Sequence, residues 1–359
     1  MTLLERVASP ENLIQAFYEC SRGKKQSHGF ARLQVQRSAW FAETRQRILS
    51  DDYSWGVYRT LWVCDPKRRQ VMAAPFADRV IHHAIHRVIE PILDPHFVPT
   101  VFACRKEKGS RLAAQLLWRA LSQMGSKRFT IKLDVKQYFA SIRHDLLFEK
   151  LVTALPDRSL SGLLLSLLQS PEECRAVGRG IPIGNLTSQL FANFYLREAD
   201  SLAWTRLGAP SVGYYTRYMD DFVLIHPDKK TCLDVARDVR AFVEDQLDLK
   251  IPESKRVVLG SAPVPFLGFC FDTDRYWVLN RNRRRAQRRI NKLTKDVHRG
   301  LVPMSRLAIS DLTFRAWSDL SFDYHKKTKT VLFSDQRGLY FYRSVDFLPR
   351  LCRCDSSRR

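Results

Sequence analysis

The segment Arg-Val-Ile-His-His-Ala-Ile-His-Arg-Val-Ile-Glu-Pro-Ile (79–92) places apolar residues every three or four positions, which predicts a helix with one face in a core. At Thr130–Val135 the pattern becomes a short apolar run of strand length, interrupted near its end by Asp134, and Tyr138–Leu151 returns to helical spacing. The run Arg217-Tyr-Met-Asp-Asp-Phe-Val-Leu-Ile225 passes from a short polar approach through two carboxylates into an apolar, β-rich stretch. Gly180-Ile-Pro-Ile-Gly184 precedes a helix that begins near Leu186 or Thr187. Further helices are predicted near Glu11–Glu19 and Arg37–Leu49, separated by the basic loop Ser21–Ser27, and Ser159–Gly178 reads as helix then loop. In Arg281–Arg299, Ala286, Ile290, Leu293 and Val297 recur at three- and four-residue intervals among nine basic residues and one acid. That is an amphipathic helix with its apolar stripe against the body and a basic face outward. No run of 18 apolar residues occurs, so no membrane span is expected.

Composition sharpens this picture in two places. With 359 residues, 45% of them hydrophobic, the chain can bury a substantial core in two or three subdomains. The formal charge of +22 is uneven: residues 275–359 carry 21 Lys/Arg against 7 Asp/Glu. A basic excess of that size points to a polyanionic partner. The eight cysteines are scattered, with no metal-knuckle spacing, and Met-Thr-Leu-Leu-Glu-Arg is no secretory signal. Reduced thiols in a cytoplasm are the simplest account.

Asp220 and Asp221 are the first candidates for chemistry. Neighbouring side chains of a strand point to opposite faces, whereas a tight turn between two strands projects both acids together and suits a hard, oxygen-seeking divalent cation. Taken alone, the pair reads more readily as an acidic hairpin tip on a solvated surface. Asp134, about 85 residues upstream, either caps the following helix or joins a metal site, since a buried Asp needs a partner or an ion. Together the three acids fit a two-ion in-line displacement, with ions about 4 Å apart. His82, His83 and His86 also have helical spacing that suits a metal, but no acid or cysteine supports them nearby, and the core-helix reading is preferred.

Asp134 with Phe139 five residues on, then Gly-Ile-Pro-Ile-Gly-Asn-Leu-Thr-Ser-Gln-Leu-Phe-Ala-Asn (180–193), then Tyr218-Met219-Asp220-Asp221, resembles motifs A, B and C of a reverse transcriptase in order and spacing. The resemblance covers roughly residues 65–300. It implies an α+β right-hand polymerase fold: an N-terminal extension (1–60), fingers (61–128), a palm of antiparallel sheet and helices (129–272, with a fingers-type insertion near 155–180), and a helical, basic thumb with a C-terminal tail (273–359) whose last residues, 351–359, fray. It also implies two Mg2+ ions, with Mn2+ as a substitute, held by Asp134, Asp220 and the backbone of Val135, with Asp221 in support. Arg105 and Lys108 would close over the triphosphate, and Phe139 would exclude a ribose 2′ hydroxyl. Lys255 would sit near the pyrophosphate, or be an ordinary surface lysine. Phe266, Leu267 and Gly268 would form a primer grip beside Tyr218 and Met219, or a plain structural hairpin. Arg284, Arg285, Arg288, Arg289 and Lys292 would follow the template–primer backbone.

Thr187-Ser188-Gln189 before Leu-Phe-Ala-Asn is similar to the signature of diversity-generating retroelement reverse transcriptases. Ile183, before Gly184, stands where many retroviral relatives carry Gln. In that family the change accompanies low fidelity opposite template adenines, copying of a template-repeat RNA into cDNA, and a small basic accessory protein assembled as a ring. The alternatives are a retron or group II intron-type enzyme, or a basic RNA-binding defence protein that does not polymerise. No ribonuclease H, integrase or endonuclease domain is expected after the basic segment, so template removal and nicking are expected to come from elsewhere.

Overall fold

The computed structural model describes residues 1–64, 68–208, 212–253, 257–259 and 262–320, with backbone alone at 64, 68–69, 257–259, 331–335, 338–343 and 350–353. Two compact units divide between Ala262 and Pro263.

The first unit opens with α1 (Leu3–Val7), α2 (Pro10–Ser21), α3 (His28–Val35) and α4 (Arg37–Leu49). Thr2 forms a capping box with Glu5, and the hydroxyls of Ser9 and Ser27 accept from the N–H groups of Asn12 and Phe30, which fixes three of these starts. Helices α2 and α4 are the two predicted there; α3 was not. A hairpin, β1 (Arg59–Cys64) and β2 (Arg68–Ala73), leads to α5 (Phe76–Leu93), which carries the predicted core face. Leu13, Ala16 and Phe17 of α2 share one core with Val80, Ile81 and Ile85 of α5. The N-terminal 60 residues are therefore packed into this unit.

After α6 (Ser110–Met124) come β3 (Phe129–Asp134), α7 (Tyr138–Ser141), α8 (His144–Ala154), α9 (Ser161–Gln169), α10 (Glu172–Val177), α11 (Leu186–Tyr195) and α12 (Arg197–Leu207). Then follow β4 (Tyr214–Tyr218), β5 (Asp221–His226), α13 (Lys229–Asp245) and β6 (Val257–Leu259). The sheet order is β4-β5-β3-β6, antiparallel throughout. Ile131, Leu133, Phe222 and Leu224 join Cys232, Val235 and Val239 of α13 in the core. By strand alternation, Lys132, Asp134 and Asp221 lie on the other face. The single helix predicted over 138–151 is broken. The carbonyls of Phe139 and Ile142 accept instead from Ile181 (2.9 Å) and Gly180 (2.8 Å), so the ladder cannot run on through Arg143.

The second unit has the antiparallel strands β7 (Val264–Phe266), β8 (Phe269–Phe271) and β9 (Tyr276–Val278), then α14 (Asn280–His298) and α15 (Met304–Ser318). A further antiparallel sheet comprises β10 (Val331–Asp335), β11 (Gly338–Arg343) and β12 (Arg350–Arg353). The palm was expected to run to 272. The chain divides earlier because the β7–β8 hairpin packs onto helices of its own unit, Phe269 lying 4.5 Å from Trp317 between ring centroids. The thumb expected to be helical thus continues from two helices into strands, and residues 351–353 of the expected frayed tail belong to β12.

Candidate active site

Asp134 ends β3 directly opposite Asp221, the first residue of β5. Facing residues of antiparallel strands project from one side of the sheet, and like charges so placed repel. Lys132, two residues back on that side, answers the repulsion. Its ammonium lies 3.0 Å from Oδ1 and 3.1 Å from Oδ2 of Asp221, and only Oδ2 is aligned as a hydrogen-bond acceptor. Oδ1 is therefore buried with a charge contact and no directed bond. Burial pushes the Asp221 carboxyl up to about 6, Lys132 opposes the rise, and the charges of Asp134 and Asp220 add to it.

Asp220 occupies the β4–β5 turn, where Met219 takes the left-handed φ of 55°. The Val135 N–H donates to the Asp220 carbonyl at 3.3 Å, stitching the turn to the end of β3. The turn was expected to carry both acids; Asp220 is in it, and Asp221 already belongs to the strand. The set offers oxygen donors, mutual repulsion and one buried carboxylate oxygen without a directed bond, all of which suit a hard divalent cation. Among the described residues no three His, Cys, Asp or Glu side chains form a ready-made metal cage. The arrangement suits divalent-cation chemistry in which one or two carboxylates act together with substrate phosphates.

The glycine loop before α11 is bonded onto α7, so Phe139, Gly180 and Ile181 come together. Ile183 is exposed (38%). Gly184, at φ 120°, would bring a Cβ to 3.4 Å from Val71 Cγ1 of the β1–β2 hairpin. Its close approach is thus to β2 of its own chain. Gln189 lies partly buried on α11, and Tyr218 and Met219 are partly buried at the turn.

Arg105 does not hold a free guanidinium over this region. Its Nε and Nη2 donate to Asp94 at 2.7 and 3.0 Å, and Nη1 donates to the carbonyls of Val98 and Val101. Arg105 braces the loop, so contact with a triphosphate would require these bonds to break. Lys106 pairs with Glu90, whereas Lys108 makes one exposed bond to the Pro99 carbonyl at 2.9 Å. Of Arg105 and Lys108, the lysine can turn at lower cost.

Three features were not anticipated: Lys132 beside Asp221, a buried cluster around Arg217, and a polar network at His82. His82 is 1% exposed; its Nδ1 lies 2.7 Å from Thr187 Oγ1, and its Nε2 lies 3.4 Å from the Tyr58 hydroxyl, to which Asn185 also donates. No metal cluster involves these histidines among the described residues. Burial lowers His82 from 6.5 to about 3, with His83 and Arg79 adding to the effect. Below pH 6.5 the unfolded state takes up a proton that the folded state refuses, so this contribution is complete above 6.5 and is lost as pH falls towards 3. A His82→Gln variant is expected to lose about 2 kcal/mol less stability than wild type between pH 7 and pH 5. Urea unfolding at the two pH values measures this, and equal losses in both proteins would contradict the assignment.

In the second unit, Leu267 (φ 49°) and Gly268 (φ 91°) form the tight turn between β7 and β8, with Phe266 buried beside it. The Asn282 amide donates to the Gly268 carbonyl at 3.2 Å. A Cβ at Gly268 would meet that amide nitrogen at 2.4 Å. Arg284, Arg285, Arg288, Arg289 and Lys292 are exposed on α14, while Ala286, Ile290, Leu293 and Val297 form its partly buried stripe and the helix packs on α15. Lys255 lies outside the described residues.

A family model described as reverse transcriptase (RNA-dependent DNA polymerase) matches residues 65–271, which include all three acids. The chain is 24% identical over 261 residues to protein YkfC of Escherichia coli (strain K12), covering 62% of this chain and 68% of that one. It is 21% identical over 289 residues to the group II intron-encoded protein LtrA of Lactococcus lactis subsp. cremoris, covering 63% and 48%, and so spans about half of that relative's length. The solved structure of apo telomerase from Candida tropicalis matches 69% of this chain and 53% of its own at a TM-score of 0.50 and 11% identity. That likeness bears on fold, and it agrees with the α+β right-hand polymerase architecture. No helix among the described residues is long and apolar enough to cross a membrane.

Proposed function

We propose, on the premise that this chain belongs to the reverse transcriptase (RNA-dependent DNA polymerase) family, that it extends a DNA strand on an RNA template from dNTPs. The observation that carries this reading is the facing of Asp134 and Asp221 across β3 and β5, with Asp220 in the adjoining turn bonded to Val135. Asp134, Asp220 and the Val135 carbonyl would hold two Mg2+ ions, or Mn2+ in their place. When bound, such ions activate the primer 3′ hydroxyl and neutralise charge on the leaving pyrophosphate. Asp221 keeps its carboxylate against Lys132 and shapes the field around the other two acids. Phe139 stands where a ribose 2′ hydroxyl would clash. The exposed cations of α14 contact the phosphates of the RNA–DNA duplex without reading its sequence.

The finer reading is a diversity-generating retroelement enzyme that makes adenine-mutagenised cDNA from a template-repeat RNA with the help of a small basic ring-forming partner. It rests on Ile183 and on the Thr187-Ser188-Gln189 segment. A second reading, a group II intron-type polymerase, is favoured by the similarity to the intron-encoded protein. Primer extension on an RNA template, with errors scored base by base, tests both. Synthesis with errors concentrated opposite adenine is the expected result. Faithful copying of adenine would favour the intron-type reading, and no synthesis would count against the polymerase itself.

A further inference from the structure

Arg217 is 0% exposed, and its partner Asp200 on α12 is equally buried. The two form a bidentate pair: Nε to Oδ1 and Nη2 to Oδ2, both at 2.6 Å. Burial alone would favour a neutral guanidine, but the Asp200 carboxylate outweighs it and holds Arg217 charged. The remaining donors leave the pair. Nη1 donates to the Met219 carbonyl at 2.8 Å and to Asn193 Oδ1 at 3.2 Å, and Nη2 donates to the Asn193 carbonyl at 3.1 Å. Asn193, on α11, donates in turn to the Ala103 carbonyl at 2.6 Å. The Arg217 backbone exchanges bonds with Thr100 and Phe102.

The Arg217 guanidinium therefore joins the turn that holds Asp220 to the helix after the glycine loop, and its backbone ties both to the segment 100–103. Met219 is the link that matters, because it sits in the left-handed region immediately before Asp220. A residue there holds its conformation only when its surroundings fix it. We propose that Arg217 is a positioning residue for the active site: anchored by Asp200, it clamps the Met219 carbonyl and thereby sets where Asp220 stands relative to α11.

This inference rests on the polymerase reading and deepens it. A purely structural ion pair is the rival account, and charge neutralisation separates the two, since replacing both members of a buried pair often preserves stability. The double variant Asp200→Asn/Arg217→Met keeps an acceptor for the Tyr215 hydroxyl, which donates to Asp200, but removes the clamp. Arg217→Lys keeps the charge and loses the fork.

Each variant is compared with wild type by thermal unfolding, RNA–primer affinity, and kcat and KM for a single dNTP. Both are expected to unfold near the wild-type temperature and to keep RNA affinity and KM within about threefold. Their kcat is expected to fall by about 100-fold, the loss associated with an ångström-scale misplacement. A folded variant with kcat within about threefold of wild type would overturn the proposal. Failure of both variants to fold would also count against it, by assigning the cluster to the fold alone. Wild type that does not extend primers would sink the polymerase reading, whereas wild type and variants extending alike would sink only this inference.

Discussion

Asp220→Asn is expected to lower nucleotide addition by about 10³-fold or more while leaving RNA affinity within about twofold of wild type. The amide keeps the shape of the side chain but loses the negative charge and half the oxygen donors. Charge stabilisation by a bound metal is worth several kcal/mol of the barrier, and each 1.36 kcal/mol is about a factor of ten in rate. Duplex affinity comes chiefly from cations on phosphates, and this substitution removes none. Asp134→Asn is expected to behave the same way. Asp221→Asn is expected to be milder, about tenfold, because that carboxylate is already engaged by Lys132. Single-nucleotide extension beside a filter-binding titration reads both quantities. An Asp220→Asn enzyme working at the wild-type rate would remove the site from consideration.

The second large effect is expected at Phe139. Its carbonyl is fixed by Ile181, and its ring lies edge-on to Tyr138, 5.7 Å between centroids. Backbone and ring are thus held from two directions, as a steric filter requires. Phe139→Ala is expected to reduce the preference for dNTP over rNTP by about 10- to 200-fold, the range for one packed contact in a pocket. Extension with dCTP or CTP as the only nucleotide measures the ratio of kcat/KM values. An unchanged ratio would leave Phe139 as a core aromatic and nothing more.

The strand bearing Asp134, the α5 core face, the start of α11 and the basic helix α14 were legible in sequence. Each rests on a local period or on a glycine–proline signal. What escaped reading was set by distant partners. The break between α7 and α8 has no proline or glycine to mark it; it arises because Gly180 and Ile181 capture carbonyls from 40 residues away in sequence. Arg217 looked like part of a polar approach to the turn, yet Tyr214–Arg217 are all buried. An arginine near the end of the aromatic-rich strand Tyr214–Tyr218, just before the turn, was the available signal. Arg105 was assigned to a triphosphate by the family resemblance, and no local pattern reveals that Asp94 holds it. The early division at Ala262/Pro263 likewise depends on the packing of Phe269 against Trp317, residues far apart in the chain.

Anomalous scattering from crystals grown with Mn2+, RNA–primer duplex and a non-reactive dNTP bears most directly on the catalytic acids. The expected map places manganese between the carboxylates of Asp134 and Asp220, against the nucleotide phosphates, with Asp221 still beside Lys132, and loses that density in Asp220→Asn. Nucleotide bound with no manganese at those two side chains, or manganese there unaffected by the substitution, would contradict the account.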